Sequence, residues 1–179
     1  MMTLVIGGAA SGKSEYAERL VLASAYESRI YIATMEPFDG ECLARIEKHR
    51  RMRAEKRFET VECYTNLASV TVPPDSVVLL ECVGNLCANE MYSPHGSGDR
   101  AAETILEGAA RLKDQCGDMV VVSNEVFAGG SCYEEGTMAY LRRLARLNRM
   151  LADLADNVCE VACGIPCWYK GGERFRDLV

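Results

Sequence analysis

A glycine-rich stretch near the amino terminus places the tightest limit on how this chain can fold. Residues 7–14 read GGAASGKS and fit the pattern G-x-x-x-x-G-K-[S/T], directly after the apolar run TLVI. In this pattern a strand leads into a tight loop, and the loop opens a helix whose main-chain N–H groups surround phosphates. A chance glycine-rich turn is the alternative, but the apolar run before it and the amphipathic stretch after it favour a phosphate-binding loop. Lys13 is then expected to reach the β- and γ-phosphates of a nucleoside triphosphate, and Ser14 to ligate Mg²⁺.

The rest of the chain alternates short apolar runs with amphipathic stretches. Five runs are rich in Val and Ile and do not alternate with polar residues, namely 2–7, 29–34, 76–81, 118–125 and 157–164. Such runs are typical of strands covered on both faces. Strands separated by helices predict right-handed crossovers, and therefore an α/β fold of the P-loop NTPase type with a mainly parallel sheet and helices on both faces. FETVE, at 58–62, is expected to add a short strand.

Composition limits the class of protein. With 179 residues, 49% of them hydrophobic, the chain is expected to form a single P-loop catalytic domain over residues 1–179. Its net charge of −6 argues against a nucleic-acid partner. No basic, apolar leader is apparent, and no uncharged apolar run approaches the roughly 20 residues of a membrane span, so we expect no membrane span and a cytoplasmic protein.

Cysteine, tryptophan and the second histidine have mostly structural interpretations. The chain has nine cysteines, an odd number, and no two of them form a C-x2-C pair. This favours reduced core thiols over a metal site at Cys159, Cys163 and Cys167. His95, in the loop predicted at 91–100, is expected to face solvent. Trp168 is expected to anchor the carboxy-terminal tail, whose charged residues 171–179 are expected to be poorly ordered.

A phosphate-binding loop also needs an acidic group near its metal, at the end of a neighbouring buried strand. Glu81 ends one predicted strand, and Asn124 and Glu125 end another. Because the carboxyl ends of parallel strands form the ligand crevice, these groups should converge on the loop. Glu81 is the first candidate for Mg²⁺, with an exposed strand-end carboxylate as the alternative.

One histidine stands between two arginines at helical spacing. Arg45, His49 and Arg53 are four residues apart, so a continuous helix would align them on one face. Guanidinium groups bind phosphates bidentately, and neutral imidazole can attack phosphorus. On spacing alone, a solvated basic face with an incidental histidine is the better interpretation.

The order of these motifs resembles a known family. GGAASGKS, YIAT, RIEKHRRMR, FETVE, LLEC, SNEV and ADNVCEVACGIP follow one another as in the bifunctional adenosylcobinamide kinase / adenosylcobinamide-phosphate guanylyltransferase family, over residues 1–170. The resemblance implies phosphorylation of the aminopropanol hydroxyl of adenosylcobinamide, a corrinoid, with ATP or GTP. GMP is then transferred from GTP to the new phosphate, and pyrophosphate is released. The resemblance also implies a homo-oligomer, a trimer.

The resemblance assigns site residues by matching motifs. His49 becomes the guanylylated residue. Arg45 and Arg53, one helical turn away on either side, are then candidates for stabilising charge on the α-phosphate or orienting the ring, and Lys13 of the loop is the catalytic lysine. The implied nucleotide contacts are Gly7, Gly8, Ala9, Ala10, Ser11, Gly12, Lys13, Ser14, Ala33, Thr34, Met35, Arg50, Arg51, Met52, Arg53 and Glu62.

The chain departs from the family pattern at two places. FAGGSCYEEG, at 127–136, follows Asn124-Glu125-Val126 where family members often carry a Gly-Val-Pro sequence, and Ala10 stands where arginine is frequent. These changes leave open the corrinoid contacts and the relative strength of the two activities.

Two other functions compete with this interpretation. A P-loop kinase of another pathway would transfer only the γ-phosphate, with His49 merely contacting substrate. A GTP-dependent switch usually reads guanine through N-K-x-D, which is absent, and the D-x-x-G at 114–117 closes a predicted helix instead of following a strand.

Overall fold

A seven-stranded sheet runs through the described part of the chain, which comprises residues 1–37, 56–127, 133–175 and 178 of this computed structural model. Its order is β3-β2-β4-β5-β1-β6-β7, and every neighbouring pair is parallel except β6 and β7. The strands are β1 (Met2–Gly7), β2 (Ser28–Ala33), β3 (Phe58–Glu62), β4 (Ser76–Glu81), β5 (Asp118–Asn124), β6 (Asn157–Ala162) and β7 (Ile165–Lys170).

Four α-helices lie within the described residues, namely α1 (Lys13–Leu22), α2 (Val83–Tyr92), α3 (Ala101–Gln115) and α4 (Glu135–Leu154). Single 3₁₀ turns occur at Leu67–Ser69, Gly98–Arg100 and Glu173–Phe175. Among the helices in these ranges, none combines the length and the apolar composition needed to cross a membrane.

The sheet separates two hydrophobic cores, and successive residues of each strand supply them in turn. In β4, Leu80 packs into a core with residues of α2, α3 and α4, whereas Leu79 packs into a second core with residues of α1. Side chains of successive strand residues point to opposite faces, so a strand buried on both sides must be apolar throughout. The predicted α/β fold, mainly parallel with helices on both faces, is confirmed.

The boundaries of several elements differ from the predicted ones. The strand predicted at 157–164 ends at Ala162, because Cys163 and Gly164 turn with φ of 52° and 80° and lead into the antiparallel strand β7. The strands predicted at 29–34 and 118–125 end one residue earlier, at Ala33 and Asn124.

The region after β4 also differs from the prediction. Helix α2 was not predicted, and it takes up Met91 and Tyr92 from the loop expected at 91–100. His95 is exposed in the remaining loop, as expected. The seven described cysteines are free thiols; four of them are buried, as predicted for core thiols, whereas Cys163 and Cys167 are exposed.

The carboxy-terminal tail packs against the sheet through one aromatic residue. Phe175 is only 6% exposed and stacks on Trp168, with ring centroids 5.5 Å apart. Trp168 also meets Tyr16 of α1 edge to face at 6.3 Å. The anchoring role predicted for Trp168 is therefore confirmed, and the expectation of a poorly ordered tail is wrong for Phe175, because aromatic burial outweighs the charge of its neighbours.

We predict that Phe175→Ala lowers the free energy of unfolding by about 3 kcal/mol, because it removes a buried aromatic ring and leaves a cavity beside Trp168. Urea denaturation followed by the fluorescence of this single tryptophan measures the loss directly. Tyr169→Ala is the control: Tyr169 is 71% exposed, so its removal should change stability by less than about 0.5 kcal/mol. Equal stability of Phe175→Ala and the wild type would contradict the anchoring role.

Candidate functional site

The loop between β1 and α1 has the form expected of a phosphate-binding loop. It turns through a hydrogen bond from Ser11 N to Gly8 O at 3.3 Å, and α1 begins after Gly12, whose φ is 90°. Lys13 folds back over the loop and donates from Nζ to Gly8 O at 3.0 Å. Ser11 Oγ is buried and has no hydrogen-bond partner among the described residues, so it has capacity for a ligand.

Glycine is required in this loop for two different reasons. At Gly7, a Cβ would lie 2.5 Å from Ser11 Oγ and 2.7 Å from Val161 O, closer than any side chain allows. At Gly12 the left-handed backbone excludes most side chains, and a Cβ would meet Gly164 Cα at 3.2 Å. Gly164 N donates to Ser11 O at 2.8 Å, so the turn between β6 and β7 supports the loop from outside.

A cleft opens beside this loop at the carboxyl ends of β2, β3, β4 and β5. Parallel strands bring their carboxyl ends to one edge, so residues far apart in sequence meet there. The residues that line the cleft are Lys13, Ser14, Tyr31, Ala33, Thr34, Met35, Thr60, Glu62, Tyr64, Glu81, Cys82, Asn85, Val122 and Asn124.

A buried threonine fixes the end of β4. Thr34 Oγ1 donates to Cys82 O at 2.9 Å and accepts from Cys82 N at 2.8 Å, and Thr34 N donates to Glu81 O at 3.3 Å. Asn89 of α2 completes the arrangement by donating from Nδ2 to Thr34 O at 2.9 Å. Thr34 is fully buried, so these bonds form away from water and hold Glu81 and Cys82 at a defined place.

Two side chains at the end of β4 have different chemistry. Glu81 accepts a hydrogen bond from the Tyr31 hydroxyl at 3.3 Å and presents its carboxylate in the same cleft as Lys13 and Ser14. Burial raises the pKa of the neighbouring Cys82 thiol above its ordinary value. A thiol that stays protonated near neutral pH is a poor nucleophile. Glu81 therefore supplies a carboxylate to the cleft, whereas the Cys82 thiol is not a candidate nucleophile.

The structure brings together eight of the residues singled out in the sequence. Lys13, Ser14, Ala33, Thr34, Met35, Glu62, Glu81 and Asn124 all line the cleft. Gly7, Gly8, Ala9, Ala10, Ser11 and Gly12 form the loop beside it without contributing to the lining. Glu125 does not line the cleft, and its main-chain N–H donates to Gly7 O at 2.9 Å. Arg45, His49, Arg50, Arg51, Met52 and Arg53 lie outside the described residues.

Six lining residues were given no role from the sequence: Tyr31, Thr60, Tyr64, Cys82, Asn85 and Val122. Tyr31, Thr60 and Cys82 belong to the motifs YIAT, FETVE and LLEC of the family resemblance. Val122 stands within a predicted strand, and no local pattern distinguishes it from core residues. Tyr64 and Cys82 come directly after strands whose ends were already expected to form the site. Counting two residues beyond each strand end would have found this pair.

Solved structures support the fold assignment. The chain aligns with a protein of Pyrococcus horikoshii OT3 at a TM-score of 0.51 and 9% identity, over 95% of this chain and 86% of that one. A prototypical ATPase from the type III secretion system of pathogenic bacteria aligns at a TM-score of 0.52 and 5% identity, over 89% of this chain and 50% of that one. At such low identity the likeness concerns the fold alone, which is that of P-loop NTPases.

Sequence comparison identifies closer relatives. The chain is 36% identical to the bifunctional adenosylcobalamin biosynthesis protein CobU of Escherichia coli K12, over 92% of this chain and 97% of that one. It is 34% identical to CobU of Salmonella typhimurium, with the same coverage, and 30% identical to CobP of Pseudomonas aeruginosa, over 96% of this chain and 98% of that one. A family profile described as cobinamide kinase / cobinamide phosphate guanyltransferase matches residues 3–168. The chain therefore belongs to the family of bifunctional cobinamide kinases and cobinamide phosphate guanylyltransferases.

Proposed function

We propose that this protein phosphorylates adenosylcobinamide with a nucleoside triphosphate and then transfers GMP from GTP to the product, giving adenosylcobinamide-GDP and pyrophosphate. The observation that carries the proposal is the composition of the cleft, in a chain that belongs to this family. Lys13 and Ser14 of the phosphate-binding loop share one cavity with the carboxylates of Glu62 and Glu81. The loop that would bind the triphosphate therefore faces the same cavity as two carboxylates.

The kinase step depends on the loop. Lys13 Nζ releases Gly8 O and binds the γ-phosphate. The loop N–H groups and Ser11 Oγ donate hydrogen bonds to phosphate oxygens. The acceptor hydroxyl oxygen bonds to the γ-phosphorus while the bridging bond to the β-phosphate breaks. The nucleoside diphosphate leaves, and the hydroxyl proton passes to solvent.

The guanylyl step depends on a nucleophile at the α-phosphate, which we assign to His49. Its neutral ring nitrogen bonds to the α-phosphorus of GTP while the bond to the β-phosphate breaks and pyrophosphate leaves. A phosphate oxygen of the phosphorylated corrinoid then displaces the histidine. Arg45 and Arg53 would stabilise charge on the α-phosphate. The family assignment supports this role. In the sequence, His49 also follows β2, whose carboxyl end lines the cleft.

Further nucleotide contacts are proposed on the same grounds. Ala33, Thr34, Met35 and Glu62 line the cleft. Because the Thr34 hydroxyl is committed to Cys82, Thr34 would act by shaping the cleft. Arg50, Arg51 and Met52 are assigned by resemblance alone.

The donor set of the cleft also fits Mg²⁺. A hydroxyl on Ser14 and a carboxylate on Glu81 are oxygen ligands, and Mg²⁺ in phosphoryl-transfer sites usually pairs one or two such groups with phosphate oxygens. When bound, the ion would neutralise charge on the phosphates. A trimeric assembly stays a prediction that rests on the family resemblance. A cytoplasmic location stays a prediction that rests on the amino-acid sequence.

We predict that incubation with Mg²⁺ and GTP labelled at the α-phosphate leaves a covalent label on the wild-type protein. The label should be acid-labile and base-stable, as expected of a phosphoramidate, and absent from His49→Ala. His95→Ala is the matched control, because His95 is the other histidine of the chain and is exposed in a surface loop. Gel autoradiography after acid and base treatment measures all three proteins.

Each departure from this result has a separate meaning. Label retained in His49→Ala would place the nucleophile on another residue. Phosphorylation of cobinamide without any protein label would indicate a kinase that lacks the histidine route to guanylyl transfer. GTP labelled at the γ-phosphate should leave no covalent label, because that phosphate departs with pyrophosphate.

We further predict that Lys13→Ala lowers kcat/KM of cobinamide phosphorylation at least about 100-fold, as expected when a preorganised charge on the transferred group is lost. Protein guanylylation should also slow, since the same loop holds the leaving pyrophosphate. Lys113→Ala is the control: its ammonium pairs with Asp156, at 3.0 Å, away from the cleft. Steady-state kinetics with wild-type values for Lys13→Ala would remove the loop from the mechanism.

A further inference from the structure

Asn124 presents a side-chain amide to the cleft from the end of β5. This strand lies between β1 and β4, and Asn124 is level with Gly7, the first residue of the phosphate-binding loop. The amide lines the same cleft as Lys13. Its Nδ2 donates to Cys82 Sγ at 3.8 Å. Sulfur is a weak acceptor, so the two N–H groups of this amide keep donor capacity toward a stronger acceptor such as a phosphate oxygen.

Space for this amide depends on a glycine at the start of α2. A Cβ on Gly84 would lie 2.8 Å from Asn124 Nδ2 and 3.1 Å from the Tyr140 hydroxyl. Tyr140 donates to Gly84 O at 3.3 Å, which holds the start of α2 against α4. The Asn124 amide therefore occupies space that a side chain at position 84 would fill.

The main chain beneath this amide is held by a buried asparagine of α4. Asn148 is 7% exposed, although it stands on the apolar face of its helix. Its Oδ1 accepts from Ser123 Oγ at 2.6 Å, and its Nδ2 donates to Asn124 O at 3.2 Å. Ser123 is fully buried. One side chain therefore bonds to two successive residues of β5, at the point where the strand enters the cleft.

This arrangement requires an amide. The buried Ser123 hydroxyl needs an acceptor, the Asn124 carbonyl needs a donor, and either group left unpaired destabilises the fold. Among side chains of this shape, asparagine alone offers both in the same protonation state at every pH, since aspartic acid loses its donor when it ionises. Asparagine is rarely buried on the apolar face of a helix, which indicates that Asn148 serves the strand end and not the helix.

We propose that Asn148 is a positioning residue for the kinase step: by holding Ser123 and Asn124 it directs the Asn124 amide at the phosphoryl group that Lys13 holds. Asn124 donates hydrogen bonds to the oxygens of that group, transfers no proton, and stabilises the charge they carry during transfer. This inference rests on the proposed function, specifically on its kinase half.

The test is a double-mutant cycle on cobinamide phosphorylation. Asn124→Ala should lower kcat about 100-fold, the effect of removing one preorganised donor, and change the nucleotide KM much less. Asn148→Asp keeps the acceptor for Ser123. Once its buried carboxyl is ionised at high pH, it loses the donor to Asn124, so kcat should fall about 10-fold there. Because Asn148 acts through Asn124, the double variant should be no slower than Asn124→Ala alone.

Asn157→Asp is the matched control for the loss of a buried asparagine. Asn157 of β6 donates to Thr3 Oγ1 at 3.2 Å and accepts from Gly172 N at 3.0 Å, and it does not line the cleft. This variant should lower the melting temperature and leave kcat unchanged. If Asn148→Asp does not fold, Ser123→Ala takes its place in the cycle, because it releases Asn148 Oδ1 without introducing a charge.

The outcomes separate the inference from the function on which it rests. A wild type that phosphorylates cobinamide, combined with an unchanged kcat in Asn124→Ala, overturns the inference alone. Multiplying losses in the double variant overturn the positioning role, because they show that Asn148 acts independently of Asn124. A wild type that leaves cobinamide unphosphorylated overturns the proposed function and this inference together.

Discussion

Parallel pairing of the central strands is the constraint on which the rest of the structure depends. Because β2, β4, β5 and β1 run in one direction, their carboxyl ends meet at one edge. Lys13, Glu81 and Asn124 are far apart in sequence and lie in one cleft for this reason alone. An antiparallel strand in the middle of the sheet would send its end to the opposite edge and remove its residue from the site. The antiparallel strand β7 lies at the margin of the sheet, beyond β6.

The parallel central strands were predicted from the sequence, whereas the antiparallel strand β7 and helix α2 were missed. Apolar runs buried on both faces marked the central strands to within a residue or two, because such strands have little choice of composition. Strand β7 was missed because it contains Pro166 and is largely exposed, so it lacks the apolar run that identified the others. Helix α2 was missed because it follows β4 almost directly, with Cys82 alone between the two elements.

Part of the site was also predictable from the sequence, namely the residues that belong to a local pattern. Lys13 and Ser14 follow from the loop pattern, and Glu81 from its place at a strand end. The bonds between Thr34 and Cys82, and between Asn148 and Ser123, join residues 48 and 25 positions apart. No local pattern marks such pairs. In the sequence each member is a single polar residue in an apolar region, and its partner becomes apparent only in the folded structure. The roles of residues 45–53 depended on resemblance for the same reason.

Buried polar groups explain how a cleft made of strand ends keeps its shape. An apolar core restricts volume but not direction, whereas a hydrogen bond in a dry environment fixes both distance and angle. Thr34, Asn89, Ser123 and Asn148 are all buried, and each bonds to main chain or to another buried side chain at the end of β2, β4 or β5. An unpaired group of this kind costs free energy. Any displacement of one strand end would break such a bond, so the groups that face the cleft are preorganised before a nucleotide arrives.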